Sequence, residues 1–276
     1  MSIAHLPNRG VLEVSGPDRA DFLQGLISND VTEARPDAAV WAALLTPQGK
    51  WLADFFVIPA TDPADVLLLD AERAQVPELM QRLTRFRLRA KVTLLDASDE
   101  WHVHAAWGDA PAHTAARDPR HPMAGWRVLA RQKLATDATD EDYDLHRLTL
   151  GLPDGSRDME AEKSVLLEAG FDELHGVSWT KGCYMGQELT ARTKYRGLVK
   201  RRLVPVVVLG DAPPRGTPVT LDGREVGEMR SARGGRGLAM LRLEALRGAG
   251  LECGGARLTP EPPPWMPLPD VTDAGA

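Results

Sequence analysis

The segment Lys181-Gly182-Cys183-Tyr184-Met185-Gly186-Gln187-Glu188, running on through Leu189-Thr190-Ala191-Arg192-Thr193-Lys194-Tyr195-Arg196-Gly197, holds one of the two cysteines of the 276-residue chain. Glycines flank the thiol closely, so the backbone can bend around it without a Cβ penalty. Lys181 sits two residues before the sulfur, and good helix formers follow from Gln187. A nearby cation and a helix N-terminus both favour a thiolate. A half-buried structural cysteine beside a tight turn is the plain alternative, but these glycine and polar neighbours do not resemble core packing. From Lys181 to Arg202 the basic residues are Lys181, Arg192, Lys194, Arg196, Lys200, Arg201 and Arg202, against the single acid Glu188, in a chain of net charge −6. Clustered cations can hold an anionic ligand because their fields sum, and arginines grip carboxylates bidentately. A solvated helix face would read the same way.

Working outward, hydrophobic content of 43% and charged content of 26% are ordinary for a soluble globular protein. The length suits two or three compact units. A pI near 5.7 argues against a dedicated nucleic-acid binder. Cys183 and Cys253 lie too far apart for a CxxC pair, and two cysteines make no disulfide scaffold. That usage fits a reducing compartment. No basic n-region followed by an apolar h-region opens the sequence, and the apolar runs at Val40 to Leu45 and Leu203 to Leu209 fall far below the roughly 20 residues of a membrane span. The expectation is a cytoplasmic protein with no membrane partner, for which direct nucleic-acid binding is not expected.

Gly10 to Val14 reads as a strand, Ser15-Gly16-Pro17-Asp18 as a turn, and Phe22, Leu23, Leu26 and Ile27 as the core face of a helix ending at Asn29-Asp30. Val40 to Leu45 and Trp51 to Ile58 flank Thr46-Pro47-Gln48-Gly49-Lys50, a strong hairpin signal. A strand at Val66 to Leu69, a helix carrying Val76, Leu79, Met80 and Leu83, and a strand at Lys91 to Leu95 complete an α+β pattern. Trp101 to Trp107 and Trp126 to Leu129 are further strands, and a helix opens at Asp140 and closes at Gly151. From Asp154 to Thr180 little periodicity survives, which in a compact protein points to function. After Lys200 short strands and the Asp222-Gly223 turn indicate a small antiparallel β-domain.

The octapeptide closely resembles the K-G-C-Y-x-G-Q-E signature of the YgfZ-type folate-binding proteins, iron–sulfur cluster assembly factors related to the glycine-cleavage aminomethyltransferase. The similarity continues through Ala191-Arg192, Lys194 and Arg196-Gly197. At the other end, Val14-Ser15-Gly16-Pro17-Asp18, Phe22-Leu23 and Ser28-Asn29-Asp30-Val31 look like the opening of the same superfamily. The resemblance implies an aminomethyltransferase-like α+β folate-binding fold, with units around a central channel and a small C-terminal antiparallel β-barrel. The units expected are 1–97, 98–199 with the cysteine motif, the barrel at 200–264, and a flexible tail at 265–276.

The resemblance also implies an accessory factor in assembly or repair of [4Fe–4S] proteins, with Cys183 as the functional cysteine and tetrahydrofolate or a derivative as ligand. Its partners would be iron–sulfur assembly proteins or their clients. Folate contacts are expected from Lys181, Tyr184, Gln187, Glu188, Arg192, Lys194 and Arg196, with Glu168 accepting from the pterin. One cysteine cannot keep a cluster alone, so any cluster would be shared and transient. The aminomethyltransferase branch carries paired aspartates where this chain has Ala53-Asp54, so aminomethyl transfer is not carried over. A folate-dependent one-carbon transferase and an RNA-associated tRNA-modification factor remain the alternatives. His102-x-His104 places two imidazoles on one strand face without a third metal ligand, so no metal site is expected. Arg233-Gly234-Gly235-Arg236-Gly237 reads as a glycine hairpin rather than an RNA element.

Overall fold

The computed structural model describes residues 1–248 and 250–267. In chain order the elements are β1 (Ser2–His5), β2 (Arg9–Ser15), α1 (Arg19–Gln24), β3 (Val40–Leu45), β4 (Trp51–Pro59), β5 (Val66–Glu72), α2 (Val76–Arg87) and β6 (Thr93–Asp96). There follow β7 (His102–Trp107), β8 (Ala116–Arg117), β9 (Trp126–Ala130), α3 (Asp140–Leu150) and α4 (Gln187–Tyr195). The last strands are β10 (Arg201–Leu209), β11 (Pro218–Leu221), β12 (Arg224–Arg233), β13 (Arg236–Arg242), β14 (Leu251–Cys253) and β15 (Ala256–Pro260).

The strands form a five-stranded sheet in the order β3-β4-β5-β2-β6, a four-stranded sheet in the order β1-β7-β9-β8, and a closed barrel β10-β13-β12-β11-β14-β15. Every residue of β3 is buried, because both faces of the first sheet are covered. Side chains alternate across a strand. Trp41, Ala43 and Leu45 therefore enter one core with Phe171, Leu203 and Met240, while Val40, Ala42 and Leu44 enter another with Leu23, Val76 and Leu79 of the helices. This two-sided burial is why β3 reads as a continuous apolar run rather than an alternating one.

Two short strands escape sequence reading. β1 has four residues and β8 two, too few to show a period. The helix expected through Ile27 stops at Gln24, capped at Gly25, and Ile27 instead bridges Leu44. The Asp222-Gly223 turn and the Gly234-Gly235 turn close hairpins in the barrel, with all four residues at positive φ. The expected tail is packed where it begins: Met266 is buried in the barrel core, and Trp265 donates from Nε1 to the Leu150 carbonyl at 3.3 Å. Residues 268–276 of that tail lie outside the described residues.

Where the units meet, the interior is charged. Arg9 and Arg127 grip Asp70 from two sides, at 2.7 and 2.8 Å. Arg120 closes on both oxygens of Asp118 and lies over the Trp41 and Phe56 rings. Asp144 on α3 receives Arg147, Arg157 and Arg233, and Arg147 also reaches Asp158 at 2.6 Å. Those arginines hold the Asp144 carboxyl well below the usual carboxylate range despite its burial. Beside this network lies a cavity of about 340 Å³ bordered by Arg9, Arg127, Tyr143, Asp154 and Arg157.

Candidate functional site

The cysteine loop is built from three anchors. Lys181 Nζ donates to the carbonyls of Ile27 and Asn29 at 2.7 and 2.8 Å. Met185 N donates to the Gly25 carbonyl at 3.1 Å. Gly186, at φ +81°, sits against the β3–β4 turn so tightly that a Cβ there would lie 2.5 Å from the Thr46 oxygen and 3.0 Å from Gly49 Cα. Gly49 returns the contact, since its own Cβ would meet the Gly186 carbonyl at 2.6 Å. Two glycines are needed because two backbones touch.

Upstream, Ser28 and Asn29 clamp the chain that leads into the loop. Ser28 Oγ donates to the Gly176 carbonyl at 2.6 Å, and Asn29 Nδ2 donates to the carbonyls of Trp41 and His175. The resemblance marks Ser28-Asn29-Asp30: the first two side chains tie the first unit to the segment leading into the cysteine loop, while Asp30 accepts locally from Gln24 and Thr32.

Between the anchors Cys183 is exposed, whereas Cys253 is buried in the barrel, where burial pushes its thiol up. Gly182 before it, at φ +94°, has open space where a Cβ would stand. Cys183 precedes the N-terminus of α4, as expected, with Gly186 as the capping residue.

Lys181 does not serve as the expected cation for the thiol. Its ammonium is directed at the two carbonyls and lies 5.3 Å from the centre of the Tyr184 ring, and burial lowers its pKa to about 8. Tyr184 is itself buried, which raises its phenol to about 12. Gln187 Oε1 accepts from Tyr184 N at 3.2 Å. These three residues hold the loop's shape.

The basic cluster divides in the same way. Lys194 pairs with Asp172 at 2.9 Å above the Trp179 ring. Arg201 pairs with Glu168 at 3.0 Å and Arg202 with Glu173 at 2.6 Å. Among the described residues, Arg192, Arg196 and Lys200 make no ion pair. Arg192 in α4 and Arg196 at its C-terminal cap line a groove of about 390 Å³ with Val165, Glu168, Leu189, Thr193 and Leu198. Glu168, Arg192 and Arg196 are thus brought together, while Glu188 is exposed in the first turn of α4. Glu168 already accepts from Arg201, which competes with the pterin role expected of it.

Asp54 is buried on β4, with one oxygen accepting from Trp41 Nε1 at 3.0 Å and the other from Trp51 Nε1 at 3.2 Å. Burial raises its pKa to about 6. The two indoles, invisible as partners in the sequence, occupy the carboxylate that the aminomethyltransferase comparison singles out. His102 and His104 lie on β7. His104 is buried, its ring 5.1 Å from that of His5, and desolvation pushes it down to about 4. Among the described residues, no group of three or more His, Cys, Asp or Glu side chains is placed to hold a metal ion.

Known proteins resemble this chain in both fold and sequence. Over 96% of this chain and 86% of the other, the structure superposes on the glycine cleavage system aminomethyltransferase T from Bartonella henselae with a TM-score of 0.72 at 12% identity. That shows the fold expected from the sequence. Residues 200–268 match the CAF17 C-terminal beta-barrel domain, which coincides with the closed barrel.

In sequence, the chain is 34% identical to the human mitochondrial iron–sulfur cluster assembly factor IBA57, over 88% of this chain and 78% of that protein. It is 40% identical to the mitochondrial IBA57 homologue of Mycosarcoma maydis over 77% of this chain, spanning only 59% of that longer protein. These relatives carry the IBA57 name rather than the YgfZ-type name that the octapeptide resembles. They also overturn the cytoplasmic expectation, because they are named as mitochondrial proteins. A reducing compartment inferred from cysteine usage does not separate cytosol from mitochondrial matrix. With the cysteine loop, the barrel and these identities together, the chain belongs to the family of the iron–sulfur cluster assembly factor IBA57.

Proposed function

We propose that this protein assists the assembly of iron–sulfur clusters on other proteins, with the Cys183 thiolate as its ligand to a cluster that a partner also holds. The observation that carries this reading is the exposed Cys183 in a loop pinned on both sides, outside any group of three or more His, Cys, Asp or Glu side chains that could hold a metal ion among the described residues. A cluster of the usual kind takes four protein ligands, so the remaining ones come from the partner, and the cluster is cargo rather than a resident group. The finer reading, in line with the resemblance, is that the clients are [4Fe–4S] proteins and the partners are assembly proteins or those clients.

Cys183→Ser tests it. The variant should melt like wild type, since the side chain is exposed. Cells carrying only this variant should lose activity of their [4Fe–4S] enzymes. Full activity of those enzymes with the serine variant refutes the proposal.

Tetrahydrofolate enters the proposal only as far as the residues fit it. Arg192 and Arg196 offer two free guanidinium groups suited to the carboxylates of a glutamate tail. No aromatic side chain lines their groove, and in the interior the Phe56 face is already covered by Arg120 and Arg127, each 4.8 Å from the ring centre. The groove suits the tail and not the pterin.

A further inference from the structure

The last turn of α2 and the loop into β6 read Thr84-Arg85-Phe86-Arg87-Leu88-Arg89-Ala90-Lys91, and every residue from Thr84 to Arg89 is exposed. Leu88 is 89% exposed and Phe86 42%. Leu88 also holds φ 40° and ψ −104°, a region that a residue with a bulky side chain rarely enters. No packing compensates it, since the side chain lies in water. Arg85 and Arg87 sit in the last turn of the helix, where cations complement the carbonyl end. Arg89 and Lys91 lie beyond that turn and need another reason. Among the described residues, none of these four side chains makes an ion pair.

We propose that this tip, with Phe86 and Leu88 interleaved in sequence with Arg85, Arg87, Arg89 and Lys91, docks on an anionic phospholipid surface. Four or more cations beside apolar side chains are the pattern that binds acidic headgroups, and the apolar pair supplies the second, shallow contact that such binding needs. An RNA or an acidic protein would use the cations but give no reason for a bare leucine held in a strained backbone.

The net charge of −6 turns the rest of the chain away from an anionic surface and leaves this tip to meet it. The sequence reading expects no membrane partner. A surface contact departs from that without a spanning helix, and no described helix is long and apolar enough to cross a membrane. The consequence for the cysteine is geometric. β6 is the edge of the five-stranded sheet opposite β3, and the cysteine loop rests on the β3–β4 turn. Four interstrand spacings separate the two edges by about 19 Å, so docking at the tip leaves Cys183 free for a partner.

Sedimentation with lipid vesicles tests the proposal. Wild type should pellet with phosphatidylcholine vesicles containing about one-third phosphatidylglycerol, and not with phosphatidylcholine alone. Leu88→Asn removes the apolar contact and should weaken binding about tenfold, with the melting temperature close to that of wild type because the side chain is exposed. The triple change Arg85→Gln, Arg87→Gln, Arg89→Gln should abolish the dependence on phosphatidylglycerol. Equal sedimentation with both vesicle types overturns the proposal, as does unchanged binding by Leu88→Asn. Absence of vesicle binding combined with Arg-dependent binding of poly-glutamate also overturns it, in favour of an acidic protein partner.

Discussion

Gly186→Ala asks whether the cysteine loop is held by backbone contact with the β3–β4 turn. At φ +81°, the added Cβ would lie 2.5 Å from the Thr46 oxygen, 2.9 Å from Leu45 Cβ and 3.0 Å from Gly49 Cα. Two costs combine. A left-handed backbone costs a residue with a Cβ about 1–2 kcal/mol. Forcing a carbon against backbone that cannot rotate away costs about 1–3 kcal/mol. Together they make about 2–5 kcal/mol, a large share of the roughly 5–15 kcal/mol that stabilises a native protein. For a chain of this size each kcal/mol moves the midpoint by about 2–4 °C, so the expected fall is roughly 10 °C. Gly182→Ala is the control: its φ is +94°, but nothing lies within 4 Å of the new Cβ. Only the backbone cost applies, and its midpoint should fall by about 4 °C. Thermal melts of the three proteins, followed by circular dichroism, give the comparison. If Gly182→Ala and Gly186→Ala melt together, or Gly186→Ala melts with wild type, the loop is not seated on the turn and the argument fails.

Two further outcomes follow from the same site. The folded pKa of Lys181, about 8, lies below its ordinary value of 10.5, so between these pH values the unfolded chain binds more protons and stability rises with pH. Lys181→Met should flatten that rise in urea midpoints measured across the window, and an undiminished rise would show that another group causes it. Replacing both Arg192 and Arg196 by Gln should leave stability within about 0.5 kcal/mol, as both are exposed and unpaired among the described residues. In calorimetry the same double variant should lose binding of a tetrahydrofolate polyglutamate, and unchanged binding removes the groove from the folate proposal.

The barrel and the first hairpin are legible in the sequence because their signals are local: β3 and β4 are apolar runs on either side of a five-residue loop, and paired glycines or Asp-Gly mark the barrel turns. The exposed thiol before a helix is legible for the same reason. What the sequence hides is partnership over long separations. Lys181 looks like a free cation beside a thiol until the carbonyls of Ile27 and Asn29 arrive from more than 150 residues away. Asp172, Glu168 and Glu173 look like part of an irregular segment, yet they neutralise Lys194, Arg201 and Arg202 and leave fewer free cations than the basic run implies. Asn29 reads as a helix end and works as a clamp. The tip at Leu88 carries no period at all and shows only as exposure and backbone angle.

The charged interior decides which parts of this protein can be cut away. Asp144 and Asp158 sit on the first two-thirds of the chain, but Arg233 and Ser231, which complete their bonding, come from β12 in the barrel. A chain ending before β10 would keep the whole cysteine motif and lose those two donors. It would also uncover the side of the core that Leu203, Leu238 and Met240 close. The barrel carries none of the loop's chemistry, yet the loop's scaffold cannot be inherited without it, so the two should melt as one cooperative unit rather than as separable domains.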